Sequence, residues 1–390
     1  MEEAAIDTLS RMMLRPALIA VALLLCCGWS IAQKRGDAKK FAVIGYYAGN
    51  GEDLEKHRIE QLTHLIWCFT HLEGDSMVAF PSSEPYSKAR EKTIREMVGF
   101  KQRNPALKVL LSFGGWGGCA TCSEVFSRDE GRRKFAASAL RLMQRYHVDG
   151  LDIDWEYPAV QGPEGHRFAP EDKHDFTLLM QELRKAFGTR YEISFAVGGP
   201  DECILGGFEW NEVMPLVDRV HIMSYDLVHG FSKSTGHHTP LYSCAGQSLS
   251  ADHAVHLLDS LHVPREKIVI GSAFYARIWR DVPEVNNGLF QPGVFSRTVP
   301  HNAIDTVINE AHGFEWFRDT IAQAPYAYNR TTHEFVTCDD AISVALKTRY
   351  AVEQGLSGIM FWQIRDDKER NGLLQAMHAE VGSSDKATGK

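Results

Sequence analysis

The stretch DGLDIDWEYP, residues 149–158, decides how the rest of the chain is read. Asp149, Asp152, Asp154 and Glu156 are interleaved with Leu151, Ile153 and Trp155. Acids are depleted from strands, and a buried charge is costly unless it is paired or neutralised. On a strand the side chains alternate faces with a rise of about 3.3 Å per residue. Asp152, Asp154 and Glu156 therefore share one face, each roughly 6–7 Å from the next. Leu151, Ile153 and Trp155 share the other, where they would pack under helices. Asp149 stands before Gly150, at the entrance of the strand or in a bulge.

On either side of this strand, short β-rich apolar runs alternate with longer amphipathic stretches. The runs are FAVIGYY (41–47), LTHLIWCF (62–69), LKVLLSFGG (107–115), VDGLDIDWE (148–156), YEISFAV (191–197), RVHIMSY (219–225), KIVIGSAFYA (267–276) and LSGIMFWQ (356–363). Between them lie helical patterns such as DEGRRKFAASALRLMQRYH (129–147) and KHDFTLLMQELRKAFG (173–188). Alternation of this kind implies parallel strands with right-handed crossovers. Eight such runs with near-continuous hydrophobicity fit an α/β fold of the closed (β/α)8 TIM-barrel type.

One interval breaks the rhythm. About 80 residues separate the seventh run from the eighth, roughly double what one helical crossover needs. The surplus holds GFEWFRDT (313–320), APYAYN (324–329) and EFVTCDD (334–340), short strands with a turn at Arg330–His333. The sequence thus predicts a small α+β insertion at 280–338 between strands 7 and 8. The barrel then comprises 41–279 and 339–380, with a helix over 340–355, and 381–390 forms a polar tail.

In the barrel reading the acid face points inward and Glu156 lies nearest the C-terminal mouth, where such enzymes hold their sites. Carboxyl groups this close in a low-dielectric interior raise one another's pKa, so a proton is shared along the row. A Glu156 kept protonated near neutral pH is what a general acid requires. Carboxylate oxygens also suit Mg²⁺ or Ca²⁺, but one strand supplies a line of ligands rather than a cage.

The formal net charge of −8 provides no basic surplus for a nucleic-acid backbone. The first 32 residues are laid out as a secretory signal peptide. Arg11 and Arg15 precede an apolar run from Ala17 to Cys27, and Ser30-Ile31-Ala32 forms a small-x-small cleavage site. The run is too short to span a bilayer. The expectation is a secreted protein, extracellular or periplasmic, with no membrane association after cleavage. Lipidation at Cys26 or Cys27 is the weaker alternative, since Leu23-Leu24-Leu25 lacks the small residue expected there. Cleavage leaves Cys68, Cys119, Cys122, Cys203, Cys244 and Cys338, whose pairing the sequence does not fix. CATC (119–122) reads as a loop staple or two free thiols, because no second pair completes a zinc site.

DGLDIDWE matches the DxxDxDxE signature and resembles glycoside hydrolase family 18, the chitinases and their relatives. The resemblance spans residues 41 to about 378. SFGG (112–115) followed by Trp116 is similar to the family's third-strand element. MSYD (223–226), FYAR (274–277) and MFWQ (360–363) resemble its sixth-, seventh- and eighth-strand motifs, and the long interval resembles the chitinase insertion domain. Family 18 uses a substrate-assisted route outside the usual two-carboxylate scheme. The resemblance implies that Glu156 protonates the glycosidic oxygen while the sugar's N-acetyl carbonyl attacks the anomeric carbon. Water activated by the same glutamate then opens the oxazolinium ion with retention.

It further implies that Asp154 turns toward the acetamido N–H, that Asp152 shares a proton with it, and that Asp149 and Ser112 support the pair. Tyr225 would hold the acetamido carbonyl, Met223 and Asp226 would line the same pocket, and Trp362 would form its floor. Tyr46, Phe69, Trp116, Tyr157, Tyr275 and Arg277 are candidate subsite walls. No metal or cofactor is implied. Ala276 and Ser224 depart from residues common in the family, but neither removes a reacting group. His237 and His238, in the loop HGFSKSTGHHTPLY (229–242), adjoin in sequence without a third partner at helical spacing and are read as loop histidines. Asn329-Arg330-Thr331 is a glycosylation sequon. The implied substrate is chitin or chito-oligosaccharide. An endo-β-N-acetylglucosaminidase acting on N-glycans and a non-catalytic chitin-binding lectin are the alternatives; the insertion disfavours the first and the presence of Glu156 the second.

Overall fold

A computed structural model describes residues 41–387 except residues 82 and 84–86. The leader expected at 1–32 lies outside the described residues. In chain order the strands are β1 (Ala42–Tyr47), β2 (His64–Glu73), β3 (Ser76–Val78), β4 (Lys108–Gly114), β5 (Gly150–Asp154), β6 (Glu192–Gly198), β7 (Arg219–Met223) and β8 (Ile268–Ala273). Then follow β9 (Tyr275–Arg280), β10 (Val294–Pro300), β11 (Phe314–Asp319), β12 (Ala324–Asn329), β13 (Glu334–Thr337) and β14 (Gly358–Trp362). Parallel pairing runs β1-β14-β8-β7-β6-β5-β4-β2, and β1 also pairs with β2, so the sheet closes on itself. This is the (β/α)8 barrel expected from the alternation of strand and helix. β3 only folds back antiparallel on β2. Among the described residues no helix is long and apolar enough to cross a membrane.

The period-two pattern sorts the strand side chains as expected. Leu151, Ile153 and Trp155 are buried in the shell between barrel and helices, with Phe113, Phe126, Phe135 and Phe176. The helices Asp129–Tyr146 and Asp172–Phe187 cover that face. Inside the barrel an apolar half, with Ile44, Ile66, Leu110, Val269 and Met360, faces a polar half from β4 to β7. At the N-terminal end of the barrel, Glu192 is paired with Arg219 and receives Lys108 Nζ at 2.6 Å and His64 at 3.3 Å.

The second sheet is antiparallel, in the order β10-β9-β13-β12-β11. It begins earlier than the sequence suggests. FYA read as the end of the seventh barrel strand, but β8 stops at Ala273 and Tyr275 already pairs with Pro300 in the insertion. Between them Phe274 N donates to Trp362 O, and the Phe274 ring stacks on Phe361 at 4.1 Å. The apolar pattern runs unbroken through this change of sheet, so nothing in it marks the boundary. The tail also differs from expectation: the helix Leu373–Ala387 continues through 381–387, with Val381 packed against the core. The sequon is closed, because Asn329 is buried, its Nδ2 donates to His312 O, and its Oδ1 accepts Thr331 N and Thr332 N. A glycan on that nitrogen has no room in the fold.

Beyond the insertion the chain re-enters the barrel at a buried ion pair. Lys347 Nζ lies 2.7 Å from Asp339 Oδ2 and 2.6 Å from Thr239 Oγ1, and both charged side chains are fully enclosed. Asp339 also accepts Ala273 N and Ser343 Oγ. Removing one member strands the other charge. Lys347→Met is expected to cost about 3–5 kcal/mol in urea unfolding, and adding Asp339→Asn should recover much of that loss.

Candidate active site

Side chains of β4, β5 and β6 meet inside the barrel because Ser112 pairs with Asp152, and Asp152 with Ser194, in register. Asp152 Oδ2 accepts Ser112 Oγ at 2.9 Å and Tyr46 Oη at 3.0 Å, while Oδ1 accepts Ser194 Oγ at 2.6 Å. His221 Nδ1 lies 2.7 Å from Tyr46 Oη and 3.4 Å from Asp152 Oδ1. Burial pushes the Asp152 carboxyl up, and the three hydroxyl donors only partly offset it. With both oxygens engaged by hydroxyls, Asp152 is not free to chelate.

Asp154, one step toward the mouth, is placed differently. It is buried, and its Oδ1 has no hydrogen-bond partner among the described residues. Burial, then the neighbouring Glu156 and Asp152 charges, raise its pKa well above the ordinary carboxylate range. Glu156 stands at the end of the strand with 7% of its surface exposed. Burial raises its pKa to about 7, with the Asp226 charge adding to the shift and a hydrogen bond from Tyr157 opposing it. The row is thus graded, from a satisfied carboxyl at depth to a titratable one at the opening.

Tyr225 reaches the same space from beyond β7. The partner of its hydroxyl is the Met360 thioether at 3.9 Å, a weak acceptor, and burial followed by the Asp154 charge pushes the phenol pKa well up. Asp226 is held on several sides. Tyr275 Oη donates at 2.8 Å, Arg277 Nε and Nη2 each donate at 2.5 Å, and His238 Nδ1 lies at 3.4 Å. Burial alone would raise Asp226, but the nearby His238 imidazole, the Arg277 hydrogen bonds and the Arg277 charge outweigh it and hold the carboxyl well below the usual range. Trp362 stacks on Phe69 at 5.6 Å and lies 6.1 Å from Tyr46, with Met223 in the same apolar cluster.

Of the residues singled out in the sequence, Asp152, Asp154, Glu156, Ser112, Tyr225, Met223, Asp226, Trp362 and Phe69 converge at this end of the barrel. Asp149 does not support the pair. Its parity matches Leu151 and Ile153, so it lies outside the row, where its carboxylate accepts Val109 N at 2.7 Å and meets Lys101 Nζ at 2.5 Å. Tyr46 is not a subsite wall but a buried donor to Asp152. Tyr275 and Arg277, reaching over from β9, anchor Asp226, and Tyr157 hydrogen-bonds Glu156. Trp116 is 58% exposed. It follows Gly114 and Gly115, both at positive φ. A Cβ on Gly114 would overlap the Asp154 carbonyl oxygen, so the glycine lets β4 close against the acid strand.

Sequence reasoning missed Ser194 and His221, and it read His238, which faces Asp226, only as a loop histidine. The first two sit at inward positions of β6 and β7, which only the register between strands reveals. It also missed a cavity of about 650 Å³ on the Phe69 side, lined among others by Asn50, Glu52, Asp53, Arg90 and Arg365.

The family model for glycosyl hydrolases family 18 matches residues 42–367. The chain belongs to glycosyl hydrolases family 18. It is 33% identical to chitinase A1 of Niallia circulans over 72% of this chain and 43% of that protein. It is 30% identical to probable chitinase 2 of Drosophila melanogaster over 78% and 66%. The chain thus spans from under half to about two thirds of the length of these relatives. A solved family 18 N-acetylglucosaminidase from Paenibacillus barengoltzii superposes with a TM-score of 0.78 at 34% identity, over 87% of this chain and all of that one. The Ostrinia furnacalis group IV chitinase in complex with allosamidin superposes with a TM-score of 0.78 at 25% identity, over 90% of this chain and all of that one.

The raised Glu156 carboxyl makes stability depend on pH. A carboxyl with a folded pKa of about 7 holds its proton more tightly than the unfolded chain does. Its contribution is complete below the ordinary value of about 4.5 and is lost as pH rises through about 7. Glu156→Gln removes this loss. Thermal unfolding should find the variant gaining on the parent between pH 5 and pH 8, by a few degrees or about 2–3 kcal/mol at the upper end.

Proposed function

We propose that this chain hydrolyses β-1,4-linked N-acetylglucosamine in chitin or chito-oligosaccharides, with Glu156 as general acid and base and the substrate's own acetamido oxygen as nucleophile. The observation that carries this reading is the Glu156 carboxyl, raised by burial to about 7 at the outer end of the acid row. A two-carboxylate retaining mechanism needs a second, ionised carboxylate as nucleophile. Asp152 is committed to three hydroxyls, and Asp226 to Tyr275 and Arg277. The Asp154 carboxyl is raised well above the usual range. With Asp152 and Asp226 both held by hydrogen bonds, this reading assigns the attack to the sugar's own acetamido oxygen, as the family resemblance implies.

In this mechanism Glu156 gives its proton to the glycosidic oxygen as the C–O bond breaks, and the acetamido carbonyl bonds to the anomeric carbon. Asp154 Oδ1, without a hydrogen-bond partner among the described residues, accepts the acetamido N–H, and as Asp154 passes its proton back to Asp152 along the shared row its charge offsets the positive charge that develops there. Tyr225 donates to the acetamido carbonyl and holds it in line. Trp362, backed by Phe69, carries the apolar face of the sugar. Ionised Glu156 then takes a proton from water, which opens the ring and restores the acid. Secretion is part of the proposal, supported by the apolar run Ala17–Cys27 ahead of a small-residue cleavage motif and by the Cys119–Cys122 disulfide.

A second reading keeps the chemistry and shortens the product. The N-acetylglucosaminidase matched along its whole length favours release of single sugars from a chain end. Chitohexaose separates the two, since endo cleavage gives dimers to tetramers first and terminal release gives monomer from the outset. Glu156→Gln is expected to lower kcat at least about 100-fold with KM nearly unchanged. Full turnover in that variant would remove Glu156 from the reaction, and binding without any product in the parent would make the protein a lectin.

A further inference from the structure

Away from the acid row, His237, Cys244 and Asp319 bring one nitrogen, one sulfur and one carboxylate oxygen within 4.8 Å of one another. His237 and Cys244 lie on the loop between β7 and the helix Ala251–Ser260, and Asp319 ends β11 of the insertion. Read along the sequence, His237 had no third partner. The fold supplies two, one from the same loop and one from the other sheet.

The cluster stands on fixed backbone. Gln247 brackets His237, accepting its N–H at 3.0 Å and donating to its carbonyl at 2.7 Å. Cys244 and Gln247 exchange backbone hydrogen bonds at 2.9 and 3.0 Å. Asp319 Oδ1 accepts Ile321 N and Ala322 N, which leaves Oδ2 facing His237 Nε2 at 3.1 Å. The His237 ring is fully enclosed edge-on to Phe290 and Tyr326, and its Nδ1 has no hydrogen-bond partner among the described residues. Nε2 is the ring nitrogen that faces the cluster, and a bound metal ion would replace its hydrogen bond to Asp319.

We propose that His237, Cys244 and Asp319 bind a zinc ion that pins the loop after β7 to the insertion sheet. Zinc takes this mixed nitrogen, sulfur and oxygen set with bonds of about 2.0–2.3 Å, so tetrahedral ligands stand about 3.3–3.6 Å apart. His237 Nε2 and Asp319 Oδ2, at 3.1 Å, open slightly to reach that spacing, and the Cys244 sulfur, within 4.8 Å of both, closes toward them. Binding forms a Zn–S bond as the thiol proton leaves to solvent, and the two resulting anions neutralise the cation. Cys244 is half-buried at the edge of the cluster, which leaves the fourth position open to water. Because His238, next in the chain, faces Asp226, the clamp also steadies the wall of the active site.

The test uses the full, untagged chain, stripped with EDTA and titrated with ZnCl₂ against a chromophoric chelator, with metal content and thermal unfolding measured in parallel. One zinc per chain and a Tm several degrees higher with zinc are expected. Cys244→Ser and Asp319→Asn, checked for native circular dichroism, should each weaken binding at least about 100-fold. No retained zinc overturns the proposal. Zinc that binds equally well to both variants sits elsewhere and overturns it too.

Discussion

A carboxyl group on the inner face of a closed barrel loses its water, and the rest of this site depends on how that loss is met along one strand. Asp152, Asp154 and Glu156 experience the same desolvation, but the wall answers it differently at each level. At depth, Ser112, Ser194 and Tyr46 replace the missing water around Asp152. One step outward no donor among the described residues meets Asp154 Oδ1. At the mouth, burial leaves Glu156 balanced near neutral pH. Such a gradient needs a closed wall, because on an open sheet solvent would level the three environments.

The insertion contributes to the same balance. Its first strand, β9, carries Tyr275 and Arg277 across to Asp226, which stays ionised beside Glu156 and raises it further. Loss of that anchor would free a second carboxylate at the mouth and blur the division of labour. The neighbouring loop, held against the insertion through His237 and Asp319, keeps His238 in place behind Asp226. Barrel and insertion therefore share the work of setting one proton affinity.

Much of this was legible in the sequence, for a physical reason. Strand alternation is a local property, so DGLDIDWE alone separates inward acids from outward Leu151, Ile153 and Trp155. Alternating strands and helices lead to the barrel, and the long interval before LSGIMFWQ to the inserted sheet. What depends on register or on distant packing was hidden. Ser194 and His221 look like ordinary strand residues until β5, β6 and β7 are aligned. The same applies to Asp149, whose acid character suggested membership of the row although its parity places it outside. Tyr275 looked like the end of a barrel strand because an apolar run carries no mark where it changes sheet. The Asn329 sequon gave no sign that its amide is committed to His312, Thr331 and Thr332.

In the proposed mechanism the attacking oxygen belongs to the substrate, and its nucleophilicity can be tuned without touching the protein. The most direct measurement is kcat/KM for a series of chitobiosides whose reducing-end sugar, the one bound above Trp362, carries N-acetyl, N-fluoroacetyl, N-difluoroacetyl or N-trifluoroacetyl groups before a common leaving group. The account predicts a monotonic fall as fluorine withdraws electrons from the carbonyl, at least about tenfold across the series. Equal rates throughout, or comparable cleavage of the de-acetylated sugar, would contradict it.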